Sequence, residues 1–199
     1  MVKNAASKRA MKGRSLLEAL DSYVVVDIET TGLSPSGDRI IEVAAVRVEN
    51  GAAVQTFQSL INPQFEINGF ISELTGITNE MLSNAPLAEE ILPAFAGFVG
   101  NGVVVAHNAN FDVNFIYDNC IRVLGSFFVN DFVDTMRVSR RMFRQHARHT
   151  LSDLTKRFGV RGGVEHRALS DAMMTRECYE YMKNYAAENA IDFKSLYPK

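Results

Sequence analysis

Five residues of this chain have types and spacing that could do chemistry: Asp27 with Glu29, Asp112, and His166 with Asp171. In Val26-Asp27-Ile28-Glu29 the carboxylates stand at i and i+2 of a strand-like run, so both project to one side of a sheet. Two like charges that close beside an apolar core are costly unless a cation neutralises them, one takes a proton, or the face is solvated on an edge strand. Asp112, in His107-Asn108-Ala109-Asn110-Phe111-Asp112, falls where a strand is predicted to pass into a helix. Strand ends of open α/β sheets gather sites, although an aspartate there also stabilises a helix start. His166 follows Gly162-Gly163 and directly precedes the last predicted helix, which carries Asp171 beside Ala168 and Ala172. Small neighbours let that helix approach a sheet closely, which would bring Asp171 over the strand acids. A loop histidine alone is commonly a surface residue; the combination carries the signal.

The elements that must position these residues follow from pattern. Tyr23 to Glu29, Arg39 to Val48 and Ala53 to Ile61 are β-branched and alternating, and read as three consecutive strands. Asn50-Gly51 is a short hairpin signal, so this first half of the sheet is expected to be antiparallel. Ile91, Leu92, Phe95 and Phe98 have helical spacing, closed by Gly100-Asn101-Gly102 and followed by a fourth strand, Val103 to His107. A helix over Asn110 to Leu124 and a short fifth strand at Phe132-Val133 come next. Asp134 is placed to cap a helix running toward Met142, and Thr150 with Asp153 has capping-box spacing for another that stops at Gly159. The last long helix is predicted from Arg167 to Tyr185, with Leu169, Met173, Cys178, Tyr181 and Met182 on its buried side. Three strands and then alternating helices and strands define an α/β domain with a mixed five-stranded sheet and flanking helices.

Four stretches in this order resemble the DEDDh, or DnaQ-like, exonucleases: Asp27-Ile28-Glu29-Thr30-Thr31-Gly32-Leu33, Leu74-Thr75-Gly76-Ile77-Thr78, His107 to Asp112, and His166-Arg167-Ala168-Leu169-Ser170-Asp171. The likeness covers roughly Tyr23 to Met182 and implies a ribonuclease H-like fold. It further implies 3′-to-5′ exonuclease activity that releases nucleoside monophosphates from single-stranded DNA or RNA ends. By the same resemblance Asp27, Glu29, Asp112 and Asp171 hold two divalent cations, Mg²⁺ or Mn²⁺, and His166 is the general base. Hard cations prefer such carboxylate oxygens, and a histidine with an ordinary pKa of about 6.5 suits proton transfer near neutrality. Thr30, Thr31, Gly32 and Leu33 would bracket the terminal nucleotide, with Leu74, Thr75, His107, Asn108 and Phe111 lining the other walls.

Composition sets limits on the partners. A chain of 199 residues with 47% hydrophobic content can bury one core, and a net charge of −2 with a pI near 6.1 argues against a uniformly basic, nucleic-acid-coating surface. Contact with nucleic acid must be local. Arg137, Arg140, Arg141, Arg144, Arg148, Lys156, Arg157, Arg161 and Arg167 face only Asp153 and Glu165 in their segment, and are expected to meet phosphates. His146 and His149 lack further ligands at zinc spacing. Cys120 and Cys178 form no CxxC, and no apolar run approaches the ~20 residues of a membrane helix. A soluble, cytoplasmic protein with no membrane partner is expected.

The domain is expected over residues 21–185, with a basic, flexible N-terminal tail over 1–20 and a short C-terminal tail over 186–199. A stand-alone nuclease ranks ahead of a proofreading subunit of a DNA polymerase, for which only the short C-terminal tail would be left to dock. A catalytically silent binding module ranks third, because it has no need of uncompensated acids.

Overall fold

The computed structural model describes residues 9–161, 163 and 166–197. One mixed sheet of six strands runs through it: β1 (Ser15–Leu16), β2 (Ser22–Thr30), β3 (Ile40–Glu49), β4 (Ala52–Leu60), β5 (Val104–Ala106) and β6 (Phe132–Asp134). Their spatial order is β1-β6-β5-β2-β3-β4, antiparallel within β2-β3-β4 and parallel elsewhere. The expected antiparallel half is present. Asn50 and Gly51 close its hairpin with φ of 50° and 76°, a left-handed pair that Asn-Gly adopts with little strain.

Seven helices accompany the sheet: α1 (Gly69–Thr75), α2 (Asn79–Ser83), α3 (Ala88–Val99), α4 (Asn110–Leu124), α5 (Thr135–Met142), α6 (Leu151–Phe158) and α7 (Ala168–Glu188). Alternation along β2 divides the core between two faces. Val24, Val26 and Ile28 pack with Leu92, Phe95, Phe115 and Ile116 of α3 and α4. Tyr23 and Val25 pack with Ala172, Tyr179 and Met182 of α7. Asp134 caps α5 by accepting the Met136 and Arg137 N–H groups, and Thr150 with Asp153 forms the capping box of α6.

Four features differ from the sequence reading. The sheet has six strands because β1 pairs with β6, so Arg9 to Leu20 is an ordered strap; residues 1–8, with Lys3 and Lys8, lie outside the described residues. Arg9 and Arg14 are held by Asp118 and Asp131, Lys12 donates to Asn110 and Asn114, and the strap's backbone covers what would be a bare sheet edge. At the other end α7 continues to Glu188, and Phe193 and Leu196 in a 3₁₀ turn are buried against the α7 side of the core, so the described part of 186–199 is not a free tail. The buried residues of α7 are Ala168, Ala172, Met174, Thr175, Cys178, Tyr179, Met182 and Ala186, so Cys178 and Met182 are buried as expected and Leu169 and Met173 are half-buried; Tyr181 instead faces outward and stacks on Phe158. Finally, two short helices absent from the sequence reading, α1 and α2, flank Gly76, because Asn68 and Thr78 cap them.

Candidate active site

Asp27 and Glu29 extend the face of β2 that meets α7, and β2 lies between β5 and β3, so these acids do not sit on an edge strand. A solvated edge therefore does not explain them. Asp112 enters from the first turn of α4 and is buried. Asp171 enters from the first turn of α7, where its Oδ2 accepts the His166 N–H at 3.1 Å. Carboxylate oxygens of Glu29 and Asp171 and a ring nitrogen of His166 all lie within 4.8 Å of one another.

Electrostatics tie the four acids into one group. Burial, then Asp112, Asp171 and Glu29, hold the Asp27 carboxyl well above the usual carboxylate range. Glu29 is pushed up to about 8 by burial, then by Asp171 and Glu42, with Arg167 opposing. Asp112 is raised by burial first, although the Ile28 backbone N–H favours its ionised form. Carboxyl groups that resist ionising without a counter-charge are what a site for hard cations requires, and the donor set of oxygens without a thiolate fits such ions.

The walls are placed unevenly. The loop after β2 is braced internally: Thr30 Oγ1 donates to the Gly32 carbonyl at 2.6 Å, and Thr31 Oγ1 accepts the Arg39 N–H at 3.0 Å. A Cβ on Gly32 would fall 2.6 Å from the Asp38 carboxylate. At its tip Leu33 is 86% exposed. On α1, Leu74 and Phe70 share an exposed face at i and i+4, Phe70 being 70% exposed. Thr75 faces inward, its hydroxyl donating to the Ile71 carbonyl and accepting the Ile77 N–H.

Asn108 and His166 both adopt left-handed backbone, φ 59° and 61°, a conformation in which non-glycine residues are uncommon and tend to mark functional turns. Asp134 Oδ1 holds the Asn108 N–H at 3.1 Å, so the α5 cap also fixes the loop leading to Asp112. His107 is tied through Nδ1 to Thr135 Oγ1 at 2.9 Å and kept neutral by burial, while Phe111 packs on Phe115.

The basic segment is only partly available to phosphate. Arg137 donates to the Ser15 carbonyl and hydroxyl, Arg157 donates to the Arg148 carbonyl, and Arg167 pairs with Glu42. Arg140, Arg144, Arg148, Lys156 and Arg161 are exposed; Glu165 and Gly162 lie outside the described residues. A Cβ on Gly163 would stand 2.5 Å from the Ser170 hydroxyl.

Sequence reasoning passed over Phe70, Asp134 as a site anchor, and Glu42. Only Glu42 left a trace, as one charge inside Ile40-Ile41-Glu42-Val43-Ala44, where every residue is buried.

A mixed sheet with carboxylates gathered where a central strand meets two helix starts is an α/β domain whose acid cluster could hold a metal ion. A family model described as an exonuclease, RNase T, matches residues 24–179, and the chain belongs to this family of phosphodiester hydrolases. It is 43% identical over 179 residues to the DNA polymerase III PolC-type of Caldanaerobacter subterraneus subsp. tengcongensis, a match covering 90% of this chain and 13% of that protein. The chain thus spans about an eighth of the length of the curated relatives it matches. Among solved structures, Exonuclease X in complex with 5′ overhanging duplex DNA aligns with a TM-score of 0.67 and 27% identity, covering 87% of this chain and 98% of that one. Exonuclease I of E. coli in complex with a dT13 oligonucleotide shares the fold, with a TM-score of 0.74 at 17% identity over 86% of this chain and 43% of that one. Among the described residues no helix is long and apolar enough to cross a membrane.

Proposed function

We propose that this chain removes nucleotides one at a time from single-stranded 3′ ends, releasing nucleoside monophosphates. The observation that carries this is the gathering of Glu29, His166 and Asp171 within 4.8 Å, beside Asp27 and the buried Asp112. Asp27, Glu29, Asp112 and Asp171 would hold two divalent cations, Mg²⁺ or Mn²⁺, which when bound acidify a water and neutralise the leaving 3′-oxygen. His166, at the lip of the cluster, accepts the proton of the attacking water as general base. Exposed Leu33, and Phe70 with Leu74, would offer apolar surfaces to the terminal bases, and backbone groups of Thr30 to Leu33 would read the 3′-hydroxyl. Asn108 and Phe111 flank the path of the strand, and the exposed arginines of the α5–α6 region supply phosphate contacts that the overall charge of −2 does not.

A second reading, that the chain acts as the proofreading module of a DNA polymerase, is favoured by the PolC-type relatives. In that setting DNA is the substrate and the polymerase is the partner.

One experiment tests polarity and mode together. A 5′-labelled linear oligonucleotide should shorten stepwise in Mn²⁺, while the same strand with a 3′-phosphate, or closed into a circle, should persist. Rapid cutting of the circle would make the protein an endonuclease and overturn the proposal; a matched RNA strand ranks ribose against deoxyribose, and copurification with a polymerase decides the second reading.

A further inference from the structure

Glu42 is the one glutamate on the sheet with no exposure, and its two oxygens are fully used. Oε1 accepts Gln58 Nε2 at 2.8 Å and Arg167 Nη2 at 3.0 Å; Oε2 accepts Arg167 Nε at 3.3 Å and the Ala168 N–H at 3.0 Å. One carboxylate thus joins β3, β4 and the start of α7. It binds Arg167 through two parallel contacts, a fork that fixes direction as well as distance. It also does what the N-cap of α7 cannot. Arg167 occupies that position without a side-chain cap, so the first helical N–H is satisfied from a neighbouring strand, by a negative charge at the favourable end of the helix.

The consequence falls on His166. Its left-handed backbone is held on one side by its own N–H on Asp171 Oδ2, and on the other by the next two residues, both bound to Glu42. Glu42 is in turn the direct cross-strand partner of Glu29. The separation between Glu29 and His166 is therefore set through the β2–β3 pairing and one ion pair.

We propose that Glu42 is a positioning residue that sets the reach of His166 over the carboxylate cluster by clamping Arg167 and the first turn of α7. The inference rests on the role given to His166 above. Side-chain misplacement of about 1 Å can cost on the order of 10²-fold in rate. Glu42→Gln and Arg167→Gln should each lower kcat by roughly that factor while KM changes little. Their double variant should lose no more than the worse single one, because both break the same clamp. Arg167→Lys, which keeps the charge without the fork, should recover only part of the rate. The intact chain would be assayed in Mn²⁺, with thermal unfolding in parallel and with the ring resonances of selectively labelled His166 as a readout independent of turnover.

Folded single variants with parental kcat and unshifted His166 resonances would overturn the proposal, as would a double variant whose loss is the product of the two singles. If Glu42→Gln does not fold, the partly exposed Arg167 carries the same test. An inactive parent would overturn the role of His166, while its resonances would still report whether Glu42 holds it in place.

Discussion

Glu29 and Glu42 stand opposite each other across the β2–β3 pairing and point to the same face, yet among the described residues only Glu42 has a cation, Arg167, in direct contact. Glu29 instead joins Asp27, Asp112 and Asp171 in a crowd where burial and neighbouring carboxylates raise the pKa of Asp27, Glu29 and Asp112. A carboxyl with a raised folded pKa loses stability for the fold as pH climbs from its ordinary range through the folded value. Asp27→Asn should therefore abolish hydrolysis and at the same time stabilise the protein in EDTA at pH 8, by about 1 kcal/mol or more, with less gain at pH 5. Melting curves with and without Mg²⁺ check both halves; retained Mg²⁺-dependent activity would remove Asp27 from the site.

Leu33 and Phe70 project into solvent from a braced loop and a capped helix, so truncating either removes contact surface without opening the core. Stacking on an aromatic side chain contributes on the order of 1–3 kcal/mol per base. Phe70→Ala should raise KM for single strands about tenfold and leave the melting temperature unchanged, with Leu33→Ala acting in the same direction. A melting temperature that drops with either change would mean that the residue is structural.

Five of the six strands, the Asp134 and Thr150 caps and the shared face of Asp27 and Glu29 were legible because each rests on local pattern. Asn50-Gly51 turned where it should, Asp134 capped α5, and the spacing of Asp27 and Glu29 put both on one face. What escaped depends on contacts distant in sequence. Ser15 and Leu16 become a strand only because Phe132 and Val133 offer an edge, and Arg9 and Arg14 are paired with Asp118 and Asp131, more than a hundred positions away. Arg167 looked like part of a phosphate-binding segment, and only the folded register shows it paired with Glu42. The α1 helix escaped for the opposite reason: at seven residues it carries too few turns for a periodic signal, and its identity rests on Asn68 and Gly76 at its ends.

The strap over β6 makes its own prediction. A Cβ on Gly13 would fall 1.9 Å from the Asn130 carbonyl oxygen, against backbone that cannot step aside cheaply. Gly13→Ala should displace the strap, uncover β6 and lower stability by about 1–3 kcal/mol, or several degrees in melting temperature. Faster proteolysis near Arg14 would confirm that the strap has lifted; an unchanged melt would show that it contributes little.

His107 gives a pH dependence of the opposite sign. Burial, with Arg140 and His149 nearby, lowers its pKa from 6.5 to about 4, the His149 backbone opposing. The unfolded chain then binds a proton below pH 6.5 that the folded one refuses. Stability is retained above that value and lost as pH falls toward 4, by at most about 3 kcal/mol at ~1.4 kcal/mol per pH unit. His107→Asn keeps a partner for Thr135 but cannot be protonated, so the difference between variant and parent melts in EDTA should change across pH 6.5 to 4 and be flat above. A difference that does not vary with pH would place the acid sensitivity elsewhere.

His166 is the residue on which two roles compete, since its ring nitrogen is close enough to Glu29 and Asp171 to serve either as a third ligand or as a base beside bound ions. The two roles part company in what each measurement sees. A ligand lost to His166→Ala should weaken Mn²⁺ binding itself, whereas a lost base should leave binding nearly intact and slow turnover by on the order of 10²- to 10⁴-fold. Exposure at the lip of the cluster favours the base, because a side chain that must exchange protons with water needs access to it. Isothermal titration of parent and variant with Mn²⁺, paired with pH-rate series, separates the cases. Turnover should fall across the whole pH range in His166→Ala while the Mn²⁺ titration curves superimpose. A variant that loses Mn²⁺ affinity, or that keeps parental turnover, would assign the proton transfer to another group.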